Sequence, residues 1–372
     1  MTNNTSTSEY HVIGLMSGTS MDGVDIAYCK FIIDDKKQWL YEVLQAECIP
    51  YPRKWEIRLR GLLRQNTVAF LKTNVHYGHL LGEMTANFME RHQLIGKVDF
   101  IASHGQTIFH QPESGMTVQI GCGAAIAAKT HLSVVADLRS MDIAFGGQGA
   151  PIVPIGDKHL FANYRFCLNI GGIANISAKL PDGGIIGYDI CGANLLLNHL
   201  AGLLNLGYDA GGQIAATGIL NLTLLEELNA PFYFEKPYPK SLSAGWVGKT
   251  IMPILDKYAH LSPASKMRTA VEHIAQQIGK EIRRIAEREG LHLTDNDAML
   301  VTGGGALNDF LVSRIAHHSP IEVVVPDAAV VKFKEAIVMA FIGVLRMRQT
   351  PNCLGAVTGA SRDTIGGCIY WV

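Results

Sequence analysis

At 372 residues, and roughly 150 residues per domain, the chain is expected to hold two domains rather than one small module. A net charge of −1 with only 17% charged residues leaves no basic surplus to grip a polyanion, so no nucleic-acid partner is expected. Glycine, at 38 residues with no collagen-like period, points to tight turns and close backbone approaches to a ligand.

The first predicted strand is His11 to Met16, followed by a turn from Ser17 to Gly23 and a strand from Val24 to Phe31. Leu40 to Ile49 extends this hairpin into a meander. Helices are predicted over about 53–66 and 70–93. A buried strand, Val98 to Ser103, runs into His104-Gly105-Gln106. A short helix near 123–130 leads to a strand from Ser133 to Asp137. The plan then restarts. Phe166 to Ile170 meets Gly171-Gly172 and returns as Ile173 to Leu180. Pro181-Asp182-Gly183-Gly184 turns the chain into a third strand that ends on Asp189. Helices are predicted over about 191–205, 213–228 and 264–289. The strand Ala298–Thr302 enters Gly303-Gly304-Gly305 and a helix from Ala306. A strand from Ile321 to Val325 precedes a helix over about 330–348. The class is therefore α/β, with two similar lobes that share a duplicated βββαβα core. Two such lobes are expected to face a central cleft, with their glycine-tipped hairpins approaching one ligand from both sides. Residues 1–160 are assigned to the first lobe and 161–372 to the second, with the last 15 or so residues packing back on the first.

The opening MTNNTSTSEY has no apolar signal core, and no run reaches the roughly 18 apolar residues of a membrane span. Seven scattered cysteines without a C-x-x-C fit a reducing compartment, so a cytoplasmic location is expected.

The densest chemical signal is Ser17-Gly18-Thr19-Ser20-Met21-Asp22-Gly23-Val24-Asp25. Two glycines expose backbone N–H groups and three hydroxyls add donors, a set that can cradle phosphate oxygens. Asp22 and Asp25 beside a phosphate require a cation, and Mg²⁺ is the natural one. A hairpin turn with side-chain capping bonds explains the same residues without a ligand. Gly171-Gly172 repeats the close-approach pattern, although a plain hairpin explains it equally well. Asp189, at the end of a predicted strand, is either a site acid or a helix cap. Gly303-Gly304-Gly305 before a helix suits the adenosine or phosphate part of a nucleotide. His104, Arg139 and Gln148 are candidate substrate contacts, with a salt bridge and a loop as the plain alternatives. Gly245-Trp246-Val247-Gly248-Lys249-Thr250 is rejected as a phosphate loop, because Ser243 occupies the leading glycine position. The paired histidines lack the companions of a metal site.

With those segments in order, the chain resembles the anhydro-N-acetylmuramic acid kinase family of the actin, hexokinase and Hsp70-like ATPase superfamily. The resemblance runs from Ile13 to about Gly359. It is carried by GLMSGTSMDGVD at 14–25, SHGQTIFHQP at 103–112, QIG at 119–121, VVADLR at 134–139 and GGQGAPIVP at 146–154. LNIGGIANI at 168–176, GYD at 187–189, VTGGGALN at 301–308, KEA at 334–336 and AVTGA at 356–360 complete it. It implies an ATP-dependent kinase that opens 1,6-anhydro-N-acetylmuramic acid with water and phosphorylates O6, in cell-wall recycling. Gly18 to Asp25 would form the first phosphate turn, with Asp22 or Asp25 holding Mg²⁺ through water. Asp189 would be the catalytic aspartate. Gly171, Gly172, Asn194 and Gly303 to Gly305 would serve the nucleotide. His104, Arg139, Gln148 and Glu335 would serve the sugar, and a homodimer is expected.

One departure stands out. After its aspartate the family usually reads Thr or Ser, Gly, Pro, Gly, Asn, whereas Ile190-Cys191-Gly192-Ala193-Asn194 follows Asp189 here. Cys122 also stands where an acid is common. Three other readings stay open at this point. A kinase of another amino sugar has the same machinery, and a non-enzymatic ATP-driven clamp or filament subunit shares the nucleotide site. A nicotinamide dehydrogenase is poorly served, because no G-x-G-x-x-G follows the first strand. Asp189 is the single candidate base. One base suffices if the leaving O6 is captured by the phosphoryl group instead of being protonated by a second carboxyl.

Overall fold

The structure, a computed structural model, describes residues 8–18, 21 and 23–372. Two compact units emerge. The first takes the described residues up to Leu160 together with Phe333–Val372, and the second is Phe161–Lys332.

The first unit is built on a seven-stranded sheet. Strands β1 (Ser8–Ser17), β2 (Gly23–Ile33) and β3 (Trp39–Pro50) form the antiparallel meander. β4 (Phe100–Gln111) lies parallel to β1, with β5 (Met116–Ile120) folded back on it. β6 (Val134–Ala136) is parallel to β4. β1 is central and buried on both faces, which explains its near-continuous apolar run. β3 alternates between half-buried and exposed positions, as an edge strand does.

The second unit has a five-stranded sheet with the same plan. β7 (Phe166–Ile170), β8 (Ile173–Lys179) and β9 (Ile185–Gly192) form its meander. β10 (Ala298–Thr302) and β11 (Glu322–Val324) follow in parallel. The strand orders β3-β2-β1-β4-β6 and β9-β8-β7-β10-β11 match position for position. The duplication read from the sequence is thus present in the topology. In the second unit, helix Pro263–Arg288 starts at a Ser262 cap and buries Met267, Ala270, Ile274, Ile278 and Ile282 along one stripe.

Several elements differ from expectation. The expected helix over 213–228 is two helices, Gln213–Thr217 and Leu222–Asn229. A Cβ at Gly218, between them, would meet the Ala264 carbonyl oxygen at 2.1 Å. The rejected phosphate-loop segment is helical, Ala244–Thr250. β5 and a final strand, β12 (Cys368–Tyr370, antiparallel to β6), were not expected.

The return of the chain to the first unit is larger than the expected 15 or so residues, since it begins at Phe333 inside helix Ala328–Met347. The cause is close packing. A Cβ at Gly14 would sit 2.0 Å from the Ala336 carbonyl oxygen, and one at Gly343 would sit 2.6 Å from the Ala102 Cβ. Glycine on both partners lets this helix lie directly on β1 and β4. Gly14→Ala is expected to cost on the order of 3 kcal/mol, because backbone must move to admit the methyl group. Urea unfolding checks it, and an unchanged midpoint would show that the helix does not rest on β1 as described.

Candidate active site

The second unit brings three expected segments together. The β7–β8 turn, Gly171-Gly172, accepts backbone bonds from the start of helix Asn194–Gly202. Asn194 N–H donates to the Gly171 carbonyl at 3.1 Å, and Ala193 N–H donates to Gly172 at 2.9 Å. The Asn194 side-chain amide donates to the Ile170 carbonyl at 3.2 Å. Gly303 to Gly305 close on the same place. A Cβ at Gly303 would stand 2.6 Å from Asn169 Oδ1, and one at Gly305 would stand 2.2 Å from Ile170 Cγ2. Gly303 also has a φ of 82°, so glycine is required there twice over.

Gly171 and Gly304 are different. A Cβ on either meets nothing closer than 3.6 Å. The protein does not demand glycine at these two, which leaves open room for a bulky ligand beside exposed backbone. The triple glycine does not begin an α-helix, as expected from sequence. A 3₁₀ turn, Gly304–Leu307, intervenes, and Asn308 caps the following helix Asp309–His318 by accepting from Leu311 N–H at 2.9 Å.

Asp189 lies inside β9 rather than at its end, because the strand continues to Gly192. Asn175 pairs with Asp189 and Ala174 with Cys191, so Ile190 is the extra residue of a bulge. The helix that follows is capped by Ala193, which excludes the reading of Asp189 as a helix cap. Asp189 Oδ2 accepts from Leu242 N–H at 2.9 Å. Its backbone N–H points at the Lys240 carbonyl at 3.4 Å, and its carbonyl accepts from the Tyr233 hydroxyl at 2.6 Å. Among the described residues no donor reaches Oδ1. Burial pushes the carboxyl above the usual aspartate range, and the Leu242 N–H pulls it part of the way back.

The departures after Asp189 are core residues. Ile190, Cys191 and Ala193 are each 0% exposed, and a Cβ at Gly192 would strike Leu196 and Val247. They pack the unit's interior, so they do not reshape the surface that Asp189 presents.

The first unit gathers a second group. Arg139 follows β6 through Asp137, whose φ is 59°, so it stands beyond the strand rather than on it. Its Nε donates to His104 Nε2 at 2.8 Å, and its Nη1 donates to the Gly149 carbonyl at 2.6 Å. His104 Nδ1 donates to the Gly105 carbonyl at 2.9 Å. Both ring nitrogens of His104 are thus spent on protein, and its expected contact with substrate is corrected to a place behind Arg139. Burial, with the Arg139 charge beside it, lowers its pKa to about 3, and burial lowers that of Arg139 to about 10. Arg139 therefore stays charged and His104 neutral.

Glu335 joins this group electrostatically. Burial raises its pKa, the Arg139 charge pulls it down and the Asp25 charge pushes it up. The preceding residue, Lys334, makes a buried 2.6 Å ion pair with Asp157 that anchors this part of the helix. Gln148 is exposed, and its backbone N–H donates to the Thr358 carbonyl at 2.8 Å. Asp142, missed in the sequence, organises that loop. It accepts from Gly149 N–H at 2.8 Å and from the Thr358 hydroxyl at 2.7 Å. A buried Asp beside Gly146-Gly147 was the available signal.

Of the first expected turn, Thr19, Ser20 and Asp22 lie outside the described residues. Gly18 accepts from Met21 N–H at 3.3 Å, and Met21 has a φ of 56°. Ser17 bonds Gln106 and Tyr51 in a buried network that fixes the end of β1. Two expected ligand contacts here are structural. Gly23 is needed by β3, where a Cβ would meet the Ile49 carbonyl at 2.6 Å, and the Val24 side chain is core. Asp25 sits on β2 opposite Met16 and Cys48. Among the described residues no group of three or more His, Cys, Asp or Glu could hold a metal ion directly.

Residues 10–372 match the profile of a family described as anhydro-N-acetylmuramic acid kinase. A Pasteurella multocida (strain Pm70) protein of that name is 33% identical over 97% of this chain and 96% of its own. Relatives of the same name from Shewanella amazonensis and Photobacterium profundum are each 34% identical over 96% of this chain and 98% of their own.

The His104–Arg139 arrangement has a solution signature. An unfolded histidine takes a proton near its ordinary 6.5, whereas His104 resists until about 3. Its contribution to stability is therefore complete above pH 6.5 and is lost as pH falls toward 3. Ring nitrogen NMR is expected to show His104 neutral, protonated at Nδ1, and not titrating between pH 5 and 8. A midpoint near 6.5 would contradict the bond from Arg139.

Proposed function

The chain belongs to the anhydro-N-acetylmuramic acid kinase family and is an ATP-dependent kinase of peptidoglycan recycling, and we propose that Asp189 is the base of its reaction. The substrate has no free O6, because C1 and O6 are joined. A water gives its proton to Asp189 as its oxygen attacks C1. The C1–O6 bond breaks, and O6 takes the γ-phosphoryl group as the bond to the leaving ADP oxygen breaks. The products are N-acetylmuramic acid 6-phosphate and ADP. The observation that carries this reading is the Asp189 carboxylate itself. One oxygen is occupied by Leu242 N–H, the other has no donor among the described residues, and burial raises its pKa. A base with a raised pKa holds an abstracted proton better.

ATP is assigned to the glycine turns. Gly171 and Gly304 supply open backbone, Asn194 and Gly172 shape the turn, and Gly303 and Gly305 allow the segments to close. Gly18 and Met21, with Thr19 and Ser20, are assigned to the phosphates. Asp25 and Asp22 would hold Mg²⁺ through water, and the ion would neutralise phosphate charge. Arg139, Gln148 and Glu335 are assigned to the sugar. Arg139 Nη2 has no hydrogen bond among the described residues and is available to a sugar oxygen or carboxylate, with His104 fixing its aim. A cytoplasmic location is proposed on the cysteines, all seven of which are free thiols. A homodimer is proposed on large apolar side chains left exposed, Ile57, Leu63, Val68 and Leu71 among them.

Asp189→Asn tests the assignment. Asn can still accept the Leu242 N–H, so the fold is expected to survive. A raised native pKa means that the buried charge destabilises the native state above that pKa, so the Tm at pH 7 is expected to be no lower. Turnover is expected to fall by about 10² to 10⁴, with nucleotide binding by calorimetry unchanged. Near-normal turnover would remove Asp189 from the chemistry.

A further inference from the structure

Around Asp189 lies a brace that the reaction does not itself require. Residues 240–242 pass alongside β9 and bracket Asp189 through the Lys240 carbonyl and the Leu242 N–H. They have little regular structure of their own, because helix Ala244–Thr250 begins only after Ser243. Their position is set by Lys240. Its side chain is 3% exposed, and Nζ lies 2.9 Å from Glu281 Oε1, on a side chain 1% exposed. It also stands over the rings of Tyr233, at 5.0 Å, and Tyr188, at 5.6 Å. Glu281 accepts from the Tyr188 hydroxyl at 2.8 Å, so it grips the residue next to Asp189 in β9 as well. Arg284 Nη1 supplies a further bond to Glu281 at 2.8 Å.

A buried ion pair adds little stability over a well-packed apolar pair, so its retention calls for another use. We propose that Lys240 is a positioning residue for the base. Paired with Glu281, it holds residues 240–242 so that Leu242 N–H occupies Asp189 Oδ2 and leaves Oδ1 directed at water. The proposal rests on Asp189 being the base. The titratable groups that feel the Asp189 charge are Cys191 on its own strand and Tyr233 from the 3₁₀ turn Phe232–Glu235, and Lys240, Glu281 and Arg284 act in turn on Cys191, on Tyr233 or on one another.

Two variants of the full chain, Lys240→Met and Glu281→Gln, are compared with wild type and Asp189→Asn. Each is first checked for native circular dichroism. Positioning predicts that kcat falls at least 10-fold in both, with the KM values for ATP and anhydro sugar within about 2-fold. Loss of the Leu242 bond also raises the Asp189 pKa, so the acid limb of the kcat profile moves to higher pH. Glu281→Gln makes the sign decisive. Removal of a nearby negative charge acting through space alone would lower the Asp189 pKa and move the limb down. If one variant does not fold, the other decides, and Lys240→Arg should recover part of the lost kcat. Wild-type kcat and limb in a folded variant, or a limb that moves down in Glu281→Gln, would overturn the positioning role while an inactive Asp189→Asn kept the base. An active Asp189→Asn would overturn both.

Discussion

A carboxylate on a half-buried strand, with one backbone N–H on one oxygen and, among the described residues, no donor on the other, is the constraint on which the proposed chemistry depends. Full solvation would leave it a weak base in the ordinary aspartate range. Full satisfaction by N–H donors would push its pKa lower still. The second unit avoids both by placing Asp189 beside the Ile190 bulge of β9, where burial raises its pKa and Leu242 supplies one backbone N–H. The bulge turns Ile190 and Cys191 into the core, and the interior packing of that sheet holds the strand that presents the acid.

The first unit solves a different problem, which is to aim a cation that burial disfavours. Arg139 keeps its charge because His104 and the Gly149 carbonyl accept from it and the carboxylates of Glu335 and Asp142 act on it through space. His104 can accept from a guanidinium only while neutral, and its own burial keeps it so. Glu335 reaches this group because helix Ala328–Met347 lies on β1 and β4, where glycine on each side removes the Cβ that would hold them apart. Helix packing and electrostatics are thus coupled. The glycine contacts that seat the helix also bring a carboxylate beside an arginine.

Much of this was legible in the sequence, and the reasons differ by element. The meanders of both units could be read because their strands carry long apolar runs between glycine turns. Asp189 stood out as an acid closing a predicted strand and Arg139 as a partner of Gln148 around Gly146-Gly147, and the family resemblance added Glu335. β5 and β12 were missed, the first because Met116–Ile120 carries a polar threonine and glutamine, the second because Cys368–Tyr370 is only three residues long. Lys240, Leu242 and Glu281 were not legible at all. Leu242 acts through its backbone, which leaves no mark on residue type, and Lys240 meets Glu281 across 41 residues of chain. Pro237 and Pro239, just before it, leave the segment without a strand or helix pattern. The departures at Ile190 to Ala193 looked like changes to a pocket until burial showed that they fill a core.

In the proposed reaction, water activated by Asp189 opens the anhydro ring while O6 takes the phosphoryl group. The most direct measurement is the fate of solvent oxygen. Wild-type protein turns over 1,6-anhydro-N-acetylmuramic acid and ATP in ¹⁸O-water, and the 6-phosphate product is read by mass spectrometry. One labelled oxygen at C1 and none in the phosphate is the expected result. Label in the phosphate, or an unlabelled C1 oxygen in product analysed before anomeric exchange, would contradict it.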